Sequence, residues 1–240
     1  PDQAYLYTRP TNAVYSSRNE EATSIRTEAR KDKVLRANTV DERTSAYQTL
    51  VAQSPLHNES VKTWCFDNLS VIAVLDSLNA SGPMQAMINT NNVGVLGHSL
   101  GGAVAGELLQ YSDVKAGINI DGFQFGSLIE SNLSKPFLFI AADRPWVGGS
   151  SISNDIFFYA SSSDCYMASF KGFQHRTFTD LGAFENVYSG NFDWTKSSTF
   201  HKNLRELVLW FFNKHLKGQS DSDNPRSDFG DSVKLWDSNK

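Results

Sequence analysis

Cysteine is scarce in this chain: its 240 residues include two, Cys65 and Cys165. Two cysteines cannot build a disulfide framework, and these lack any metal-ligand spacing, so both read as buried apolar residues. Positive charge is not in excess either. Lys and Arg total 22 against 26 Asp and Glu, for a formal net charge of -4, and no clustered basic stripe interrupts that balance. This argues against nucleic acid as a partner. No apolar run approaches the roughly 20 residues that a bilayer-crossing helix needs. Glycine is missing from residues 1–63, and from Ser16 to Thr44 the sequence is mostly charged and polar, with scattered Ile25, Val34, Leu35 and Val40. Alternating charge signs with sparse apolar residues suit a solvent-facing helix or a mobile excursion, and no strand pair is legible there. The expected organisation is a polar amino-terminal segment over residues 1–66, a folded core over 67–218 and a polar tail over 219–240.

What is present centres on residues 93–102. Val93-Gly94-Val95-Leu96 runs into Gly97-His98-Ser99-Leu100-Gly101, a G-x-S-x-G pattern, and a helix-like stretch from Ala103 to Gln110 follows. A serine on a sharp turn between strand and helix projects its hydroxyl above the sheet with a helix N-terminus beneath it, which is the setting of a nucleophile. Gly97 and Gly101 are both expected where a β-carbon would collide as the chain reverses. Ser99 is the candidate nucleophile, and the backbone N–H of Leu100 is the oxyanion donor that its position supplies.

Around this turn, apolar spacing places the other elements. Val71, Val74, Leu75 and Leu78 recur at i, i+3, i+4 and i+7, predicting the buried face of a helix that Asn79-Ala80-Ser81-Gly82-Pro83 ends. Ala116–Ile120, Phe137–Ala141 and Cys165–Phe170 read as strands covered on both faces. Leu204, Leu207, Val208 and Phe211 mark a helix through about Leu216, with Trp210-Phe211-Phe212 docking on the sheet. Val233 and Leu235-Trp236 are the residues that would pin the polar tail. Strands alternating with helices predict a parallel α/β sheet, in which reactive groups gather at the carboxyl ends of strands.

A serine nucleophile needs a base, and the base needs an acid to hold its tautomer. Of the five histidines, His175 alone occupies a strand-exit loop downstream of Ser99. His98 points elsewhere on a tight turn, His201 and His215 flank or belong to the terminal helix, and His57 sits in the polar part. Two aspartates end strands, Asp121 after Ile120 and Asp143 after Ala142, and either satisfies the geometry.

The blocks Gly97–Ala103, Gly117–Gly126, Lys135–Phe139 and His175–Asp180 together resemble the platelet-activating-factor acetylhydrolase family, in its lipase-like branch of plasma, fungal and bacterial enzymes. The resemblance covers residues 66–186. It implies an α/β-hydrolase fold, a triad of Ser99, Asp121 and His175, and hydrolysis of short or oxidised acyl esters, including the sn-2 acyl group of phospholipids. It favours Asp121 as the acid; a general carboxylesterase or lipase would use Asp143. No metal or other cofactor is implied, the partner is a small-molecule or lipid ester, and peripheral contact with a lipid surface is compatible with that substrate.

Phe123, Phe125, Trp146, Phe157 and Phe158 are candidate linings for an acyl site. Four Asn-x-Ser/Thr triplets, at Asn58, Asn68, Asn79 and Asn132, tilt the expected location toward the outside of the cell. The chain departs from the family ahead of its helix: neither the apolar strands nor the glycine-rich loop that brings a second oxyanion donor is legible. The expectation is an amino-terminal half-sheet supplied by a longer product or another chain, or a divergent hydrolase that binds without catalysis.

Overall fold

A computed structural model describes residues 17–111, 113–142, 153–180, 194–219 and 229–238. Helices α1 (Ser17–Arg36), α2 (Val40–Ala52) and α3 (Pro55–Ser81) precede strand β1 (Val93–His98). Then come α4 (Leu100–Leu108), β2 (Val114–Ile120), β3 (Phe137–Ala142), α5 (Asp155–Tyr159), β4 (Cys165–Phe170), α6 (Trp194–Lys217) and β5 (Val233–Asp237). The strands form one sheet in the order β1-β2-β3-β4-β5, with β1 to β4 parallel and β5 antiparallel to β4. This is the α/β, α/β-hydrolase-like sheet that the sequence predicts.

Side-chain alternation splits the core in two. All six residues of β3 are buried. Phe137, Phe139 and Ala141 face the layer that contains Tyr47, Leu50, Val61 and Leu108, while Leu138, Ile140 and Ala142 face Leu207, Trp210 and Phe211 of α6. A strand buried on both faces needs an unbroken apolar run, as β3 has. In β2 the Ala116, Ile118 and Ile120 side chains join the α6 layer, and buried Asn119 faces the other way, over α4. β1 pairs with β2 alone among the described residues, so the serine-bearing strand is an edge, and its Leu96 is 55% exposed.

Two expectations change. The Ser16–Thr44 stretch, where described, is two packed helices. Thr39 caps α2 by accepting the Glu42 N–H, and the Glu42 carboxylate accepts the Thr39 N–H in return. Val34 of α1 and Tyr47, Leu50 and Val51 of α2 are buried in the core, and α3 runs through the expected boundary at residue 66. Of the apolar residues in the Ser16–Thr44 stretch, Val34 reaches the core, while Val40 is 43% exposed. The second change concerns α3. It ends as expected at Gly82, but Val71 and Val74 are 56% and 57% exposed, while Val61 and Cys65 are its buried residues. The helix buries its amino-terminal half against α4, and periodicity alone does not say which half of a 27-residue helix meets the sheet. The tail is pinned at the expected residues, and it is pinned as a strand. Val233 pairs with Phe170 and Leu235 with Ala168, and the Lys171 N–H donates to the Ser232 carbonyl at 2.9 Å.

Candidate active site

Ser99 sits between β1 and α4 with φ 58° and ψ -123°, a left-handed backbone that a non-glycine residue adopts only where its surroundings enforce it. The enforcement is visible. Its N–H donates to the Ile120 carbonyl at 2.9 Å, and its carbonyl accepts the Gly102 N–H at 3.0 Å. A β-carbon on Gly97 would lie 2.1 Å from the Gly101 carbonyl, so glycine is obligatory at 97. At Gly101 nothing lies within 4 Å, which corrects the expectation of a collision on both sides. The constraint missed by the motif is Gly122, whose added β-carbon would stand 2.0 Å from the Ser99 carbonyl oxygen.

Asp121 leaves the end of β2 in a second left-handed conformation, φ 52°. Its N–H donates to the Ile140 carbonyl at 2.7 Å, and one carboxylate oxygen accepts the Ala142 N–H at 2.8 Å. The other oxygen lies 2.8 Å from His175 Nδ1. His175 opens a 3-10 turn (His175–Phe178) just beyond β4, and its Nε2 lies 3.0 Å from Ser99 Oγ. The carboxylate side chain is 1% exposed and the imidazole 45%. A buried carboxylate thus addresses one imidazole nitrogen while the other faces the hydroxyl from the solvent side. The structure brings Ser99, Asp121 and His175 into one hydrogen-bonded line, with Leu100 beside it in the first turn of α4, where helix geometry leaves the N–H without an intrahelical acceptor. Asp143 and Trp146 lie outside the described residues.

A cavity of about 670 Å³ opens over this line. Ser99, Leu100, Asp121 and His175 form its floor, with Phe123 and Phe125 as apolar walls. The other two described aromatic candidates, Phe157 and Phe158, are core residues instead; Phe157 packs edge-on against Tyr47 at 5.2 Å. The remaining wall comes from residues that sequence reasoning did not connect with the site. Glu28, Lys31, Asp32 and Leu35 descend from α1, and His57 comes from α3. Lys31 pairs with Glu28 at 2.7 Å and lies 5.6 Å above the Phe123 ring, while His57 stacks on Phe125 at 4.6 Å. Burial, and then the nearby Lys31 charge, lower the basicity of His57.

Beneath the cavity a buried polar network braces the loop that carries Asp121. Tyr47 Oη accepts the Gln124 N–H and donates to Asn154 Oδ1, both at 2.6 Å. Asn154 Nδ2 donates to the Gly122 carbonyl at 2.8 Å, and the Gly122 N–H donates to Asn119 Oδ1 at 2.8 Å. Gln124 Nε2 reaches the Ala103 carbonyl at 2.7 Å, tying the loop to α4. An ion pair of Arg43 with Asp155 lies alongside, and burial pushes the Asp155 carboxyl upward against the pull of that guanidinium. Burial also raises the Tyr47 hydroxyl, which keeps it a neutral donor.

Against known families, a model described as platelet-activating factor acetylhydrolase, isoform II, matches residues 5–230. The chain belongs to this family. The matched stretch takes in the serine turn, the strand-end aspartate and the strand-exit histidine. A comparison with curated proteins finds no match. Among solved structures, a ferulic acid esterase from Streptomyces cinnamoneus is similar, with a TM-score of 0.56 and 22% identity. The similarity covers 75% of this chain and 55% of that one, so the chain spans little more than half the length of that structure. At this identity the likeness is one of fold.

Proposed function

We propose that the protein is a serine esterase that removes short or oxidised acyl groups, including the sn-2 acyl group of phospholipids of the platelet-activating-factor type. The observation that carries the reading is the line from the Asp121 carboxylate through His175 to Ser99 Oγ, with spans of 2.8 Å and 3.0 Å, at the floor of a cavity walled by two phenyl rings. In this reading His175 holds its proton on Nδ1, donated to Asp121, and presents the Nε2 lone pair to the Ser99 hydroxyl. Ser99 Oγ attacks the ester carbonyl as its proton passes to Nε2. The Leu100 N–H receives the oxyanion, His175 returns the proton to the departing alcohol, and water reverses the sequence on the acyl-enzyme. Substrate size is supported by the family.

A fluorophosphonate probe tests the proposal. The expected result is one adduct, on Ser99, lost in His175→Ala, together with faster hydrolysis of p-nitrophenyl acetate than of the decanoate ester. Folded protein that neither labels nor hydrolyses would favour the binding-only reading. That alternative has one specific support: among the described residues, no loop following an earlier strand supplies a second oxyanion donor, whose loss typically costs about 10²–10³ in turnover.

A further inference from the structure

His98 precedes the serine, and the tight turn there predicts a side chain aimed away from it. The side chain does leave Ser99, and it goes to the other reacting group. Its ring lies against the His175 ring, centroids 4.5 Å apart and planes inclined by 33°. Its Nε2 stands 3.0 Å from the backbone carbonyl oxygen of His175. A carbonyl only accepts, so Nε2 carries the hydrogen and, in the neutral ring, the lone pair falls on Nδ1. Phe178, from the same 3-10 turn, closes on the ring at 6.3 Å.

We propose that His98 is a positioning residue for His175: its Nε2–H anchors the carbonyl of the residue whose imidazole must stay between Asp121 and Ser99. The need for an anchor follows from where His175 sits. Ser99 is locked by β1 and β2, and Asp121 by hydrogen bonds of its N–H and carboxylate to the β3 backbone, but His175 is on an exit turn with its imidazole 45% exposed. Two bonds within that turn are local: the Gln174 N–H donates to Thr177 Oγ1 and the Thr177 N–H to the Gln174 carbonyl. These shape the turn without fixing it to the strand that carries the serine. The bond from His98 joins β1 directly to the His175 backbone, so the last residue of β1 holds the base and the next residue is the nucleophile. Burial lowers the basicity of His98 and keeps it the neutral, single-tautomer donor that this role asks for.

This inference rests on the hydrolase reading of the same site, and the test separates the two. His98→Gln keeps an N–H donor in reach of the carbonyl, whereas His98→Phe keeps the ring and loses the donor. The expected result is a fall in kcat and in the fluorophosphonate labelling rate of about tenfold for the phenylalanine variant, a loss of the size that one hydrogen bond allows, with KM held within about twofold. The glutamine variant should recover most of that loss, and thermal melting should place both variants with the parent. Nitrogen-15 NMR of the parent should find His98 in the Nε2–H form. A phenylalanine variant as active as the parent, a glutamine variant no better than phenylalanine, or an Nδ1–H tautomer would each overturn the anchor. A parent that does not label while its His98 shows the Nε2–H proton would overturn the hydrolase reading and leave the anchor standing.

Discussion

Replacing Asp121 by asparagine probes the site at its most constrained point. The substitution changes almost no volume, and the residue is fixed by its own N–H to Ile140 and by the Ala142 N–H on one side-chain oxygen. The amide oxygen of asparagine would keep the Ala142 bond, because that partner only donates. Its NH₂ must then face His175 Nδ1, where the carboxylate oxygen stood at 2.8 Å. A donor there forces Nδ1 to accept, so the His175 proton moves to Nε2 and points at Ser99 Oγ across 3.0 Å. The base then offers a hydrogen where a lone pair is required. Changes of this kind in serine hydrolases cost about 10⁴ in turnover, or about 5 kcal/mol of transition-state stabilisation. The assay is kcat on a short p-nitrophenyl ester, beside a thermal melt that should move by only a few degrees. Asp143→Asn in parallel should stay within a few fold of the parent. An Asp121→Asn enzyme within tenfold of the parent, or a collapse of turnover from Asp143→Asn, would refute the tautomer argument and transfer the acid's role.

Gly122→Ala puts a β-carbon 2.0 Å from the Ser99 carbonyl oxygen and must displace either the serine turn or the acid loop; turnover should fall by at least about 10², the cost of an ångström-scale misplacement, as followed by labelling rate. Tyr47→Phe leaves the buried Gln124 N–H and Asn154 Oδ1 without their partner, and urea unfolding should show a loss of about 1–3 kcal/mol together with slower labelling of Ser99. Burial pushes the Cys65 thiol up to about 11 and that of Cys165 to about 12. At pH 8 thiolate is scarce on both, so iodoacetamide should modify neither cysteine in folded protein and both in urea, as counted by intact mass.

Much of the floor of the site was legible because its constraints are local. Ser99 announces itself through an apolar strand, a glycine at 97 and a helix of small residues in one continuous stretch, Asp121 ends a short apolar run, and His175 lies in the loop that leaves another. Parallel sheets bring such strand ends together whatever the intervening loops do. The wall was not legible because nothing local marks it. Glu28, Lys31 and Asp32 look like any solvated helix face, since a cavity mouth is itself solvated and periodicity distinguishes only core from water. The same limit explains α3: Val71, Val74, Leu75 and Leu78 form a sound apolar stripe, yet a stripe states no partner, and beside the edge strand β1 half of it stays exposed. His98 combines both lessons. Its place in the motif fixed where the backbone would be, and the tight turn was rightly expected to aim the ring away from the hydroxyl. What lay in that direction depended on where a loop 77 residues later returns, a tertiary fact that no window of the sequence contains. In the proposed reading the neighbour of Ser99 also holds His175, so the end of β1 positions both groups.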